Sequence, residues 1–274
     1  MPPLRALVGA GFGVALVVSQ PDRKRGRGGA LVASPVKKTA VELGLPVSDR
    51  VDDVLDVGAD LGVVVAFGKL IKPHVLDRVP MVNVHFSLLP RWRGAAPVER
   101  AILAGDAETG VDIMQLEEGL DTGGIYAEER VAIGADETAD ELRDRLVSLG
   151  TALLVRTLTD GLGTPTPQVG EPTYAAKLNP SEFELDWTRS AVDLHRLVRI
   201  GRAWTTFRGR RLKVLEAHVV AGGTSTPGVL DGESVGTGEG RLELVTVQPE
   251  GKGPQAAGAW RNGARPQPGE LLGG

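Results

Sequence analysis

Residues 81–97 read MVNVHFSLLPRWRGAAP, from Met81 to Pro97. The first half of this stretch alternates. Val84, Phe86 and Leu88 fall on one side of an extended chain, while Asn83, His85 and Ser87 fall on the other. Val82–Leu88 is therefore expected to be a strand with one apolar face and one face carrying chemistry. Two continuous apolar runs precede it, Val14–Ser19 (VALVVS) and Gly62–Phe67 (GVVVAF), of the kind found in strands covered on both faces. Helix-length segments separate the three runs. The order β-α-β-α-β predicts an α/β fold built on a Rossmann-like parallel sheet.

Working outward, Ser34 can cap a helix that has Pro35 at its first position. Val36, Ala40 and Leu43 share a face of that helix, and Gly44 ends it. Pro97 can open a helix through Ala104. Thr138 and Glu141 form a capping-box pattern ahead of a long helix bearing Leu142, Leu146, Leu149 and Leu153. The composition then shifts. Residues 161–180, GLGTPTPQVGEPTYAAKLNP, are rich in Gly, Pro and Thr and read as a linker. A helix with Ala191, Leu194 and Leu197 follows. Beyond it come short strand-like pieces at Arg211–Leu215, Gly228–Leu230, Ser234–Thr237 and Leu242–Val247. Such spacing predicts a small β-barrel. The tail from Gly251 is Gly- and Pro-rich and is expected to be partly loose. The expected division is residues 1–160, a linker at 161–180, and residues 181–274.

Of the 274 residues, 42% are hydrophobic and 24% charged, which excludes a disordered chain. The formal net charge of −4 excludes a generally basic protein that coats nucleic acid. That total conceals a pattern. Residues 1–50 carry a net +5, residues 51–193 a net −13, and residues 194–274 a net +4. Basic ends can still engage an anionic partner, because the field near a surface follows local charge. The chain has no cysteine, so disulfides, thiolate metal sites and Cys nucleophiles are excluded. No apolar run is long enough to span a bilayer. The run after Arg5 resembles a signal peptide only weakly, with one charge before it and no small-x-small cleavage site before Gln20-Pro21. The expectation is a cytoplasmic protein.

The chemistry concentrates at two places. Asn83 and His85 lie two residues apart toward the C-terminal end of a parallel strand, where open α/β sheets bind ligands. Asn offers a neutral donor, and His exchanges a proton near neutral pH. Asp121 lies in LEEGLDTGG, residues 116–124, among glycines that permit a tight path. Together the three could stabilise an oxyanion during acyl transfer, with Asp121 holding His85 in its charged, donating form. Each also has a plainer reading: Asn83 and His85 as buried polar residues satisfied by backbone, and Asp121 as a turn residue. His74, His195 and His218 lack comparable company, and no His, Asp and Glu spacing forms a metal site. The loop Arg23, Lys24, Arg25, Arg27, interleaved with Gly26, Gly28 and Gly29, suits phosphate contacts or is simply solvated. Arg199, Arg202, Arg208, Arg210, Arg211 and Lys213 form a second basic set.

These motifs resemble the tetrahydrofolate-dependent formyltransferases. The resemblance rests on Asn83-x-His85, Ser87-Leu88-Leu89-Pro90, Arg91-Trp92-Arg93-Gly94-Ala95-Ala96-Pro97 and Gly119-Leu120-Asp121-Thr122-Gly123. It extends over nearly the whole chain, to Gln20-Pro21-Asp22-Arg23, Tyr174-x-x-Lys177-Leu178 and Val247-Gln248-Pro249-x-Gly251-Lys252. It implies formyl transfer from 10-formyltetrahydrofolate to the α-amino group of methionine carried on initiator tRNA; with one catalytic set in the chain and no metal-site spacing, a monomer without metal is expected. It also implies a Rossmann-like domain followed by an OB-like barrel. Asn83, His85 and Asp121 would be the catalytic set, and Ser87, Leu88, Leu89 and Pro90 would line the folate site. Arg27, with Arg23 and Arg25 in the same loop, and Lys177 would meet tRNA. Two other outcomes stay open: a relative acting on another amine or on water, and an inactive chain that only binds tRNA.

Two departures stand out. Family members begin with a strand and a Gly-Thr-Pro-x-Phe turn, whereas Met1-Pro2-Pro3-Leu4 matches the interior of the first helix. The expectation is a true start upstream, with the first strand missing and two interior strand edges exposed. The second is Gly124, where relatives often carry Asp.

Overall fold

The computed structural model describes residues 2–25, 29–220 and 226–274. The chain divides into two compact units. The first comprises Met1–Pro97, Glu108–Ala132 and Arg143–Ala176, and the second Val98–Ala107, Ile133–Leu142 and Lys177–Gly274.

In the first unit, helix α1 (Pro2–Gly9) leads to strand β1 (Val17–Val18), the hairpin β2 (Arg23–Arg25) and β3 (Ala30–Val32), helix α2 (Pro35–Glu42) and strand β4 (Val47–Ser48). The Ser34 side chain accepts from the Lys37 N–H at 3.1 Å, with Pro35 at the first turn, as expected. Ala40 packs with Leu4 and Val17, and Val36 and Leu43 close over them. β1 and β4 pair in parallel as a sheet of two strands. A second sheet takes β5 (Gly62–Val65), β6 (Met81–His85), β8 (Glu108–Gln115) and β9 (Ile125–Ala132) in the order β5-β6-β8-β9. Helix α3 (Pro73–Leu76) joins β5 to β6, and β7 (Arg93–Gly94) follows β6; helix α4 (Pro97–Ala104), next in sequence before β8, belongs to the second unit from Val98 on.

The β5–β6 pairing is the parallel one in that sheet; β8 runs antiparallel to both of its neighbours, β6 and β9. The all-parallel expectation is corrected to a mixed sheet. The parallel reading rested on the three apolar runs, whereas β8 and β9 carry charged residues among apolar ones. Helix α5 (Ala139–Asp160) starts as expected, with Thr138 and Glu141 capping each other, and Leu142, Leu146 and Leu153 are buried along it. It passes so close to the sheet that a Cβ at Gly150 would lie 2.9 Å from Val111 and 3.1 Å from Val84.

One cavity of about 850 Å³ occupies the first unit. Its walls include Leu16, Val18, Val63 and Val65 together with Leu4 and Leu7 of α1. β1 pairs only with β4, and β5 only with β6, among the described residues. Two strands that read as interior therefore each leave one edge without a partner, and both border this cavity.

The segment expected to be a linker is ordered against the first unit. Thr166 exchanges backbone hydrogen bonds with Ile125 at 2.8 Å, and β10 (Tyr174–Ala175) pairs in parallel with β7.

The second unit holds helix α6 (Ala191–Arg199), strands β11 (Trp204–Phe207), β12 (Arg210–Val220), β13 (Leu230–Asp231), β14 (Ser234–Gly236), β15 (Arg241–Pro249) and β16 (Gln255–Ala256), and helix α7 (Ala257–Ala264). Its sheet is antiparallel, ordered β11-β12-β15-β14-β13, with β16 also on β15. A bulge at Val214–Ala217 breaks the β12–β15 register, the kind of irregularity that makes a sheet coil. The described pairings leave the sheet open, so barrel closure is not among them. The tail is more ordered than expected: Trp260 of α7 is buried edge-on against Phe207 at 5.2 Å between ring centroids.

Candidate active site

β6 brings Asn83 and His85 to one face of the sheet, as alternation requires. Both are buried, with His85 5% exposed. The His85 Nε2 lies 3.0 Å from the Trp92 carbonyl, so that nitrogen carries the proton and donates it. Nδ1 faces the Asp121 carboxylate at 3.8 Å. Burial lowers the His85 pKa; the Asp121 charge and the Trp92 carbonyl oppose it without overcoming it. That direction favours the neutral ring at rest, against the expectation that Asp121 keeps it charged. The Asn83 side chain makes no hydrogen bond among the described residues, leaving its amide free for a ligand.

Asp121 is aimed by its backbone. It sits at φ +50°, in the left-handed region, and its Oδ2 accepts from the Gly94 N–H at 2.7 Å. Trp92 (φ +63°) and Gly94 (φ +117°) bring the RWRG turn to meet it. Gly123 cannot be replaced freely, because a Cβ there would lie 2.1 Å from the Gln115 carbonyl oxygen. The departure at Gly124 has a local cause: a Cβ would lie 2.9 Å from Pro165 and 3.2 Å from the Thr166 carbonyl. The ordered 161–176 segment occupies the space a side chain would need.

Ser87 is fully buried, and its hydroxyl donates to the Arg91 carbonyl at 2.6 Å. It shapes the Leu88–Leu89–Pro90 turn from within. Leu89 is buried, and the bond to Pro90 is cis.

Gln168 was not legible as a site residue, yet it ties the loops together. Its amide donates to the Asp121 and Gly123 carbonyls, both at 2.8 Å, and its carbonyl accepts from Arg93 at 2.6 Å. Thr173 accepts from the Trp92 N–H at 2.9 Å. No local pattern marks either residue, since a Gly- and Pro-rich stretch announces only the absence of helix and strand.

Of the expected tRNA contacts, Arg27 lies outside the described residues, and only the backbone of Arg23 and Arg25 is described. Lys177 is exposed. In the second basic set Arg199 is buried and donates to the Gly134 and Glu137 carbonyls, which gives it a structural role. Arg208 donates to Glu270. Arg211 stacks 4.0 Å over Trp204, which stands across from Lys213 on the adjoining strand. Among the described residues no group of three or more His, Cys, Asp or Glu could hold a metal, and no helix is long and apolar enough to cross a membrane.

Comparison with known proteins shows the family of the chain. The formyl transferase family model matches residues 7–158, and its C-terminal domain model matches residues 177–265. The methionyl-tRNA formyltransferase of Jannaschia sp. is 44% identical over 99% of this chain and 96% of its own length. That of Roseobacter denitrificans is 45% identical over all of this chain and 95% of its own. Among solved structures, an N-formyltransferase from Helicobacter canadensis superposes with a TM-score of 0.71 over 90% of this chain and 94% of its own, at 16% identity. HypX from Aquifex aeolicus, in complex with tetrahydrofolic acid, gives 0.60 over 81% of this chain and 43% of its own, at 18% identity. At such identity these two show the fold alone. Family models covering most of the chain and relatives at 44–45% identity place this chain in the formyl transferase family.

Proposed function

We propose that this chain transfers a formyl group from 10-formyltetrahydrofolate to the α-amino group of methionine carried on initiator tRNA. The observation that carries this reading is the near full-length likeness to relatives named methionyl-tRNA formyltransferase, at 44–45% identity. Asn83, His85 and Asp121 form the catalytic set, converging from a strand and a glycine-bounded loop.

The neutral amine attacks the formyl carbon, and the carbonyl becomes a tetrahedral oxyanion. The free Asn83 amide donates to it. Buried and neutral at rest, His85 takes the proton the amine releases. The new charge is stabilised by the Asp121 carboxylate 3.8 Å away. The C–N bond to the donor then breaks, and the departing nitrogen recovers a proton. No cysteine is present, so no thioester intermediate is needed.

Ser87, Leu88, Leu89 and Pro90 shape the folate side of the site. The tRNA is met by the basic loop at Arg23, Arg25 and Arg27, by Lys177, and by the Trp204, Arg211 and Lys213 face, where stacking and charge combine. The same proposal takes residues 1–160 as the catalytic domain, 161–180 as the connection and 181–274 as an OB-like domain, whose bulged antiparallel sheet fits a coiled barrel. One chain carries a whole catalytic set and acts as a monomer in the cytoplasm.

The test measures formyl transfer to methionyl initiator tRNA alongside an amino sugar and water as acceptors. Formylated methionyl-tRNA as the dominant product supports the reading. A preference for another acceptor contradicts it. Affinity for tRNA should fall steeply with salt, reporting several phosphate contacts, and a flat response would count against the basic surfaces.

A further inference from the structure

We propose that Asp112 is a positioning residue, holding the Ser87–Pro90 turn in the shape that the formyl donor meets. The inference rests on reading that turn as the folate side of the site. Asp112 stands on β8 directly across from His85 on β6 and from Glu128 on β9, so it shares their face of the sheet. It is fully buried, at 0% exposure. Its Oδ2 accepts from the Leu89 N–H at 2.7 Å.

Of the turn's other bonds, Ser87 to the Arg91 carbonyl and the Arg91 N–H to the Leu88 carbonyl at 3.0 Å are internal, and the Pro90 carbonyl at its end accepts from the Thr173 N–H at 3.2 Å. Asp112 therefore ties the middle of the turn to the sheet. Gly110, two residues earlier on β8, seats the neighbouring side chain. A Cβ there would lie 2.3 Å from a Leu88 methyl carbon. Leu88 and Leu89 are thus both set down on one strand.

A packing role does not account for this carboxyl. A buried acid is costly, and Oδ1 has no hydrogen-bond partner. A Thr or Val would fill a similar space without that cost. Burial pushes the Asp112 pKa up to about 7, against the pull of the Leu89 N–H; Glu128 raises it further and Arg130 lowers it. The groups facing it are His85 from β6 and Glu128 and Arg130 from β9. The ionised form is the stronger acceptor for the Leu89 N–H. The turn is therefore held more firmly as pH rises through neutrality, and the KM for the donor falls over the same range.

The experiment compares wild type, Asp112→Ala and Asp112→Asn in the full chain. It reads hydrogen exchange at the Leu89 amide and the KM and kcat for 10-formyltetrahydrofolate between pH 6 and 8. Asp112→Ala should lose about tenfold of the Leu89 protection and raise the donor KM about tenfold, with kcat within about threefold. Asp112→Asn keeps an acceptor oxygen but cannot ionise. It should restore protection and flatten the KM profile with pH. Unchanged Leu89 protection in Asp112→Ala overturns the proposal. So does an Asp112→Asn profile that still follows wild type, a result available even if the Ala variant fails to fold. Lost protection with an unchanged donor KM would leave Asp112's hold on the turn intact and remove the turn from the donor site.

Discussion

β5 and β6 lie side by side in register, yet every residue of β6 is buried and none of β5 is. Both read as apolar strands. The difference is what each has on its second edge. β6 is flanked by β8, and the turns that follow it are clamped by Asp112, Thr173 and, through Arg93, Gln168. β5 faces a cavity of about 850 Å³, with the unpaired edge of β1 among the other walls. The proposed catalytic residues are therefore held from the β8 side and by the 161–176 segment, while β5 supports β6 on the open side. A strand's burial is decided by its neighbours as much as by its own residues.

Amide exchange should sharpen that contrast most. Val17, Ser19 and Gly62 donate to Pro46, Ser48 and Pro80 respectively, so alternation turns the Val18 and Val63 amides toward the open side. These should exchange about 1,000-fold faster than the amides of Val82 and Val84. Equal protection on both strands would break the comparison. Next in size, Asn83→Ala should lower kcat about 100- to 1,000-fold, as removal of one oxyanion donor does, and His85→Ala about 100- to 10,000-fold, as removal of a general base does, both with little change in folate affinity. Near-normal turnover in either variant would remove that residue from the catalytic set. Gly123→Ala drives a Cβ into the Gln115 carbonyl and should cost more than about tenfold in kcat together with a lower Tm.

Smaller effects probe the clamp. Gln168→Ala removes the bonds to the Asp121 and Gly123 carbonyls and frees Arg93. It should cost about 1–2 kcal/mol of stability, read from denaturant unfolding, and lower kcat several-fold. Unchanged turnover would mean the 161–176 segment is not part of the site. The smallest effect is in pH. The folded His85 pKa lies below 6.5, so the folded protein binds fewer protons than the unfolded chain between that lowered value and 6.5. Stability and activity should both decline as pH falls through that window. Activity that rises toward acid would show that the charged ring is the working form.

The site was legible where chemistry coincided with periodicity. Asn83 and His85 stood out because a period of two placed them together, and Asp121 because glycines surround it. Asp112 and Gln168 were not legible, since their importance comes from partners more than 20 residues away. The same holds for the fold. Caps at Ser34 and Thr138 are local and appeared where expected. β8 and β9 mix charged and apolar residues, and their direction depends on pairings that no local signal carries. The second unit's helix α7 was hidden by Gly and Pro in its flanks, while the buried contact of Trp260 with Phe207 stabilises it.

Transfer of labelled formyl from 10-formyltetrahydrofolate to methionyl initiator tRNA, by the purified chain and by its Asn83→Ala variant, tests the central claim most directly. The wild type should yield formylated methionyl-tRNA, and the variant should lose about 100-fold or more of that activity. Label that stays on folate with both proteins, or moves to the tRNA equally well with both, would contradict it.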